Sequence, residues 1–162
     1  MVVVAIIGIL SAVAVPNFQK YQAKSRTSEA KIQLAGLYTA EIAFYSDYSV
    51  YAACLSNMGY NPSPEKSSRY YAIGFTSAGL DSASTKAIDN GAAACDEGPL
   101  DGKNYFLAKK TASGPSAKED LATNAVSPGG FTAGAGGRIM GSAVDKWSIT
   151  QSKILNHDSP GY

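Results

Sequence analysis

The sequence predicts an α+β protein: one long N-terminal α-helix whose C-terminal half packs on an antiparallel sheet of about four strands. Three observations carry this. Residues 1–15, MVVVAIIGILSAVAV, hold no charge, and Ser11 is their one weakly polar member. A 3.6-residue apolar rhythm then continues beyond Pro16 to about Ser46. Past residue 70, short alternating segments are separated by turn-rich stretches longer than a hairpin loop. Strands gathered after a helix, rather than alternating with helices, select α+β over a parallel sheet.

The opening run admits three readings: a cleaved signal peptide, a membrane helix, or a helix that packs against copies of itself. A signal peptide needs a basic segment before the apolar run and a small-x-small site after it. Residues 1–15 have no basic segment ahead of them and run through Pro16 straight into a helical pattern. A membrane helix needs ~20 apolar residues, and these rise only roughly 22 Å against ~30 Å of hydrocarbon. The expectation is that about five further apolar residues lie upstream of Met1, the chain being truncated there. The following flank is basic, with Lys20, Lys24, Arg26 and Lys31 against Glu29. The positive-inside rule would place that flank in the cytoplasm, whereas the cysteines argue for export. A charged leader ahead of Met1 would remove the conflict.

After Pro16 the stem has two zones. Residues 22–31 are almost entirely polar. Leu34, Leu37, Tyr38, Glu41, Tyr45 and Tyr48 then follow the helical period, with Ile32, Ala35 and Ile42 widening the stripe. A greasy, then solvated, then amphipathic helix suits a segment that leaves a membrane or filament core and docks on its own head. Pro16 removes a backbone donor and clashes with the preceding turn, so a kink or a loosened stretch is expected there. Gly8 weakens the helix further. No coiled-coil heptad is sustained over three heptads, and no internal repeat is evident. The predicted organisation is residues 1–18 as the hydrophobic half, 19–46 as the stem and 47–162 as a globular head. Within the head, 47–69 connect and 70–162 carry the sheet.

Residues 47–69 read as connection, broken by Asn57, Gly59, Asn61-Pro62 and Pro64. Residues 70–76 alternate, with Tyr71, Ile73 and Phe75 on one face and Ala72 and Gly74 on the other. Residues 104–111 set Tyr105 and Leu107 opposite Phe106 and Ala108. Residues 144–150 place Trp147 and Ile149 together. Residues 130–139 contain Gly134, Gly136 and Gly137, and are expected to be a glycine-broken edge strand.

Net charge is +1 and charged residues make up 17%, which leaves no electrostatic footprint for a dedicated nucleic-acid binder. Sixteen Gly and ten Tyr suit a loop-rich extracellular domain better than a compact cytosolic enzyme. Cys54 and Cys95 fit no metal or haem spacing. In an exported chain they read as a disulfide; in a cytosolic one, as two buried thiols. His157 is the sole histidine and is read as a solvated residue in a polar tail, leaving no triad and no zinc set. Residues 127–141 lack the Lys-Ser/Thr of a phosphate loop and the third glycine of a dinucleotide fingerprint. Asp81, Asp89, Asp96, Glu97 and Asp101 have no EF-hand spacing. Neither enzyme activity, a cofactor, a metal nor a small-molecule substrate is expected.

Residues 1–30 resemble the N-terminal helix of type IV pilins, entered a few residues inside the mature protein. The resemblance rests on the run AIIGILSAVAVPNF, on Gly8, on Ala14-Val15-Pro16-Asn17 and on Phe18. More loosely, Asp145-Lys146-Trp147-Ser148-Ile149-Thr150 looks like the last strand of many major pilins; residues 48–100 match no motif. The resemblance implies the pilin fold and a structural subunit, anchored in the inner membrane before assembly and then part of an extracellular filament. It implies as partners identical subunits, an assembly platform and minor pilins, and as uses adhesion, twitching motility and DNA uptake. Val2, Val3, Ile6, Ile7, Ile9, Leu10, Val13 and Phe18 would pack the filament core. Ala5, Gly8, Ser11, Ala12 and Ala14 would allow close approach. Gly8 and Pro16 would bound a segment able to kink or melt. Lys20, Lys24, Arg26 and Glu29 are candidates for ion pairs between subunits, or for solvated charge. A type II secretion pseudopilin and a monomeric, membrane-anchored periplasmic binding domain are the alternatives.

Overall fold

A computed structural model describes residues 1–55, 58–76, 104–108, 120–122, 124–127 and 129–162. Helix α1 (Val2–Tyr48) is continuous through Pro16 and rises roughly 70 Å. It ends at Ser49, whose left-handed backbone (φ 58°) lets its N–H donate to the Tyr45 carbonyl. A 3₁₀ turn (Ser63–Glu65) interrupts the connection that follows.

Among the described residues, six strands lie in one antiparallel sheet: β1 (Tyr71–Gly74), β2 (Tyr105–Phe106), β3 (Ala125–Ser127), β4 (Gly130–Met140), β5 (Ala143–Thr150) and β6 (Leu155–Ser159). The order is β2-β1-β4-β5-β6, and β3 pairs with the first residues of β4 on the edge that β1 takes further along. This is the predicted α+β architecture with six strands instead of about four. The additional two are β3, AVS, too short to show an alternation, and β6, LNHDS, which is polar.

The helix packs on β1, β4 and β5 through Ala23, Thr27, Ala30, Leu34, Leu37, Glu41 and Phe44, all buried. Facing them from the sheet are Tyr71, Ile73, Phe106, Phe131, Ala133, Ala135, Trp147 and Ile149. The expected faces of β1 and β5 are those observed. Ile32 and Ala35 do not widen the stripe as expected; both are exposed on the far side of the helix.

The expected edge strand is instead the middle of the sheet. Strand β4 is bordered by β1 and β3 on one side and by β5 on the other. Its glycines are there because backbone crosses its outer face. A Cβ at Gly136 would lie 1.8 Å from the Asp120 carbonyl oxygen, and one at Gly134 would lie 2.9 Å from that of Ala122. The crossing segment also covers Ala72, which packs with Tyr105 and Leu121 in a second small cluster. Both faces of β1 are therefore buried.

Candidate assembly surface

Among the described residues, none packs over the apolar half of α1. Val2, Val3, Ile6, Ile7, Ile9, Leu10, Val13 and Phe18 are all exposed, from 51% at Ile6 to 72% at Val2. An 18-residue window of the helix is apolar enough to cross a membrane, and none of it is buried. Folding of the head cannot satisfy this surface. Each such side chain gains roughly 1.5–3 kcal/mol on leaving water, so together they strongly disfavour a free monomer in water. No side chain stands within 4 Å of where a Cβ at Gly8 would be, so a neighbouring helix could approach closely there.

The polar zone of the stem is where the head takes hold. Arg26 Nη1 donates to the Ile139 carbonyl at 2.5 Å, and its guanidinium lies 4.6 Å above the Tyr70 ring. One Glu29 carboxylate oxygen accepts the N–H groups of Tyr70 and Tyr71, at 2.8 and 3.0 Å, at the start of β1. Two of the four residues considered for ion pairs between subunits thus have roles inside the subunit, while Lys20 and Lys24 are exposed. The reason is positional: both project toward the start of β1 and the end of β4, where these backbone groups are their partners.

Burial pushes the Glu29 carboxyl above its usual range, and the two N–H donors and Arg69 only partly offset this. A raised carboxyl binds protons more readily folded than unfolded. Stability should therefore fall as pH rises from about 4.5 through the folded pKa, and be restored below it. Glu29→Gln keeps an acceptor for the two N–H groups and carries no titrating charge. Its urea midpoints should show a flatter pH dependence over that window; an unchanged slope would rule the carboxyl out as the cause.

The largest departure from expectation is at the C-terminus. His157 is exposed, as expected, but it is held in β6 instead of a free tail. Its ring stacks on Trp147 at 4.0 Å and 7°, and its Nε2 lies 2.8 Å from Asp145 Oδ1. Asp145 is fully buried, and four donors converge on it. Oδ2 accepts from the Tyr71 hydroxyl and the Trp147 indole N–H, both at 2.6 Å; Oδ1 also accepts from the Gly161 N–H at 3.0 Å. Strand register builds this cluster. Tyr71 pairs with Gly137, and Gly137 with Asp145, so the tyrosine reaches across a residue that has no side chain. A Cβ at Gly137 would stand 3.0 Å from the Tyr71 ring. Lys31 closes the stack from the helix, its Nζ 4.7 Å from the Trp147 ring. Sequence reading missed Asp145 because its partners, Tyr71, Gly161 and His157, are far from it along the chain or on another strand.

The connection from α1 to β1 is also tied down. Arg69 is 2% exposed and donates to the carbonyls of Pro62 and Leu107. Tyr60 donates to Gln33 Oε1 at 2.6 Å, and burial raises its phenol. Cys54 is buried. Cys95 lies outside the described residues, as do Asp81, Asp89, Asp96, Glu97 and Asp101. Among the described residues no three His, Cys, Asp or Glu side chains gather as a metal site would need.

A long helix, bare along its first half and seated along its second on an antiparallel sheet, defines the α+β pilin fold. No family profile matches the chain. It is 50% identical over 70 residues to the type IV major pilin protein PilA of Myxococcus xanthus, covering 43% of this chain and 31% of that protein. It is 47% identical over 53 residues to the fimbrial protein EcpC of Eikenella corrodens, 33% of this chain and 35% of that one. It is 39% identical over 51 residues to the type IV major pilin protein PilE of Neisseria gonorrhoeae, 32% of this chain and 30% of that one. These matches span about a third of the length of each relative. With the fold, they support a type IV pilin.

Proposed function

We propose that this protein is the structural subunit of a type IV pilus, polymerising through α1 into an extracellular filament that serves adhesion and twitching motility, with DNA uptake a further use. The observation that carries this reading is the bare apolar half of α1 beside a head whose own core is complete without it. Before assembly, lipid of the inner membrane satisfies that surface; in the filament, the same surface of identical subunits does. Lipid tails and apolar helices are nearly equivalent as solvents, so the exchange is decided by packing. Ala5, Gly8, Ser11, Ala12 and Ala14 are the residues that permit close approach. Residues 1–18 then form the filament core, 19–46 the stem and 47–162 the exposed head. Gly8 and Pro16 bound the stretch able to loosen as subunits pack. An assembly platform and minor pilins are the further partners, and the role is mechanical, with no catalysis.

Filaments sheared from the native host should contain this chain as their main subunit. Ile7→Asp should leave the subunit in the membrane, where the rest of the apolar run outweighs the roughly 2.5–3.5 kcal/mol that one charge costs, and should abolish sheared filaments, where the charge recurs unpaired at every subunit contact. Wild-type protein that stays monomeric in the membrane while the cell makes pili would overturn the reading.

Export also makes a Cys54–Cys95 disulfide part of the proposal. Closing that loop stabilises the head by roughly 4 kcal/mol on a chain-entropy account. Mass spectrometry of the intact exported protein should show two hydrogens gained on reduction. Two alkylatable thiols without reductant would exclude the bond.

A further inference from the structure

Just beyond the apolar half of α1 stand five charged residues, Lys20, Lys24, Arg26, Glu29 and Lys31. The head engages three of them. Arg26 reaches the Ile139 carbonyl, Glu29 the Tyr70 and Tyr71 N–H groups, and Lys31 the Trp147 ring. Lys20 and Lys24 are exposed, and neither ammonium group meets a partner among the described residues. Being four positions apart, they stand one above the other on the same side of the helix. Residues 1–28 hold no Asp or Glu, so this level of the stem carries positive charge alone. The first carboxylate, Glu29, is already taken by the start of β1.

Height along the helix decides what faces the two lysines. The apolar half ends at Phe18, and at ~1.5 Å per residue Lys20 lies ~3 Å and Lys24 ~9 Å beyond it. The headgroup layer of a bilayer is about 5–8 Å deep on each side. A lysine buries its methylene stem and carries its charge to that layer, so both ammonium groups reach it. Lys31, at ~20 Å, does not. Phe18 and Tyr21, 67% and 74% exposed, stand at the same level, and tyrosine favours the boundary between hydrocarbon and water. We propose that Lys20 and Lys24 form a site for anionic phospholipid headgroups where α1 leaves the hydrocarbon of the membrane. The proposal rests on the reading that lipid covers the apolar half before assembly, and it names the lipid class that holds the foot of the stem. Charge decides the class. Two ammonium groups with no carboxylate beside them complement a headgroup of net negative charge, whereas a zwitterionic one brings a cation of its own. The pair also sets the height of the helix, since a shift inward drives Lys20 into hydrocarbon and a shift outward wets the apolar run.

The test follows backbone amide signals of the full chain in micelles of a zwitterionic detergent, to which phosphatidylglycerol, phosphatidylcholine or inorganic phosphate is added. Phosphatidylglycerol should shift the signals of residues 19–25 saturably, at a mole fraction about tenfold or more below the one phosphatidylcholine requires. Lys20→Gln/Lys24→Gln should erase that preference and leave the signals of the head in place. Equal response of the wild type to the two lipids, or a preference that survives in the double variant, overturns the proposal. A matching shift from inorganic phosphate overturns it as well, since the site would then take free phosphate instead of a membrane surface. Should the double variant misfold, salt answers the same question in the wild type. At ~1 M sodium chloride the screening length is ~3 Å and the preference should vanish; its persistence there overturns the proposal. A chain that stays monomeric in water without detergent removes the membrane reading and this site with it. Absence of sheared filaments from the native host removes the filament reading alone, because no filament enters the measurement.

Discussion

Asp145→Ala should destabilise the head by about 3–5 kcal/mol, the cost of removing one side of a buried charged cluster. At this chain length that corresponds to a fall in Tm of roughly 10 °C or more. The argument is one of stranded donors. The Tyr71 hydroxyl, the Trp147 indole N–H, the Gly161 N–H and the His157 ring nitrogen all converge on this carboxylate, which has no solvent exposure. Truncation leaves buried donors without acceptors, at about 1–3 kcal/mol each where water cannot reach them. Only His157, whose side chain is 27% exposed, can recover a partner from solvent. His157→Ala should therefore cost less, about 1 kcal/mol, through the lost ring stack on Trp147 and one hydrogen bond. Thermal unfolding of the detergent-solubilised subunit, followed by Trp147 fluorescence, measures both. An Asp145→Ala loss below that of His157→Ala would mean that the cluster does not hold the C-terminus to the sheet.

Gly136→Ala should be nearly as damaging, at about 3 kcal/mol, although it adds a single methyl group. That methyl would lie 1.8 Å from the Asp120 carbonyl oxygen and 2.4 Å from its carbon. Both are backbone atoms, so no rotamer change relieves the clash, and the segment crossing β4 must lift. Leu121 would then lose its packing on Ala72 and Tyr105. Asp120, which pairs with Arg138 at 2.8 Å, moves with it. Gly129→Ala is the control, since nothing lies within 4 Å of its added methyl. Urea unfolding of the two variants should separate them by about 3 kcal/mol. Equal midpoints would show that the crossing segment yields at no cost.

These cases mark where sequence reading stops. Residues 1–15 announce themselves because fifteen uncharged positions cannot be hidden in a head of this size. The faces of β1 and β5 were legible for a similar reason: alternation survives wherever one side of a strand meets the helix. Strand β4 was misplaced at the edge because a run such as GAGG signals weakness locally. Its glycines respond to backbone lying on top of them, which only the fold supplies. Ile32 and Ala35 fit a widened stripe on periodicity alone, yet both are exposed. An apolar residue within a helical pattern does not say which partner it awaits.

By itself, then, the sequence determined that one end of this protein must leave water, that a long helix carries it, and that an antiparallel sheet follows. Those properties are written in consecutive or periodic residues, where composition and period are sufficient. The tertiary structure alone decided that Asp145, His157, Tyr71 and Gly161 form one cluster and that the glycine-rich strand is central. Each depends on register and on what crosses above. A carboxylate becomes a hub, and a glycine a necessity, only when residues distant in the chain are brought against it.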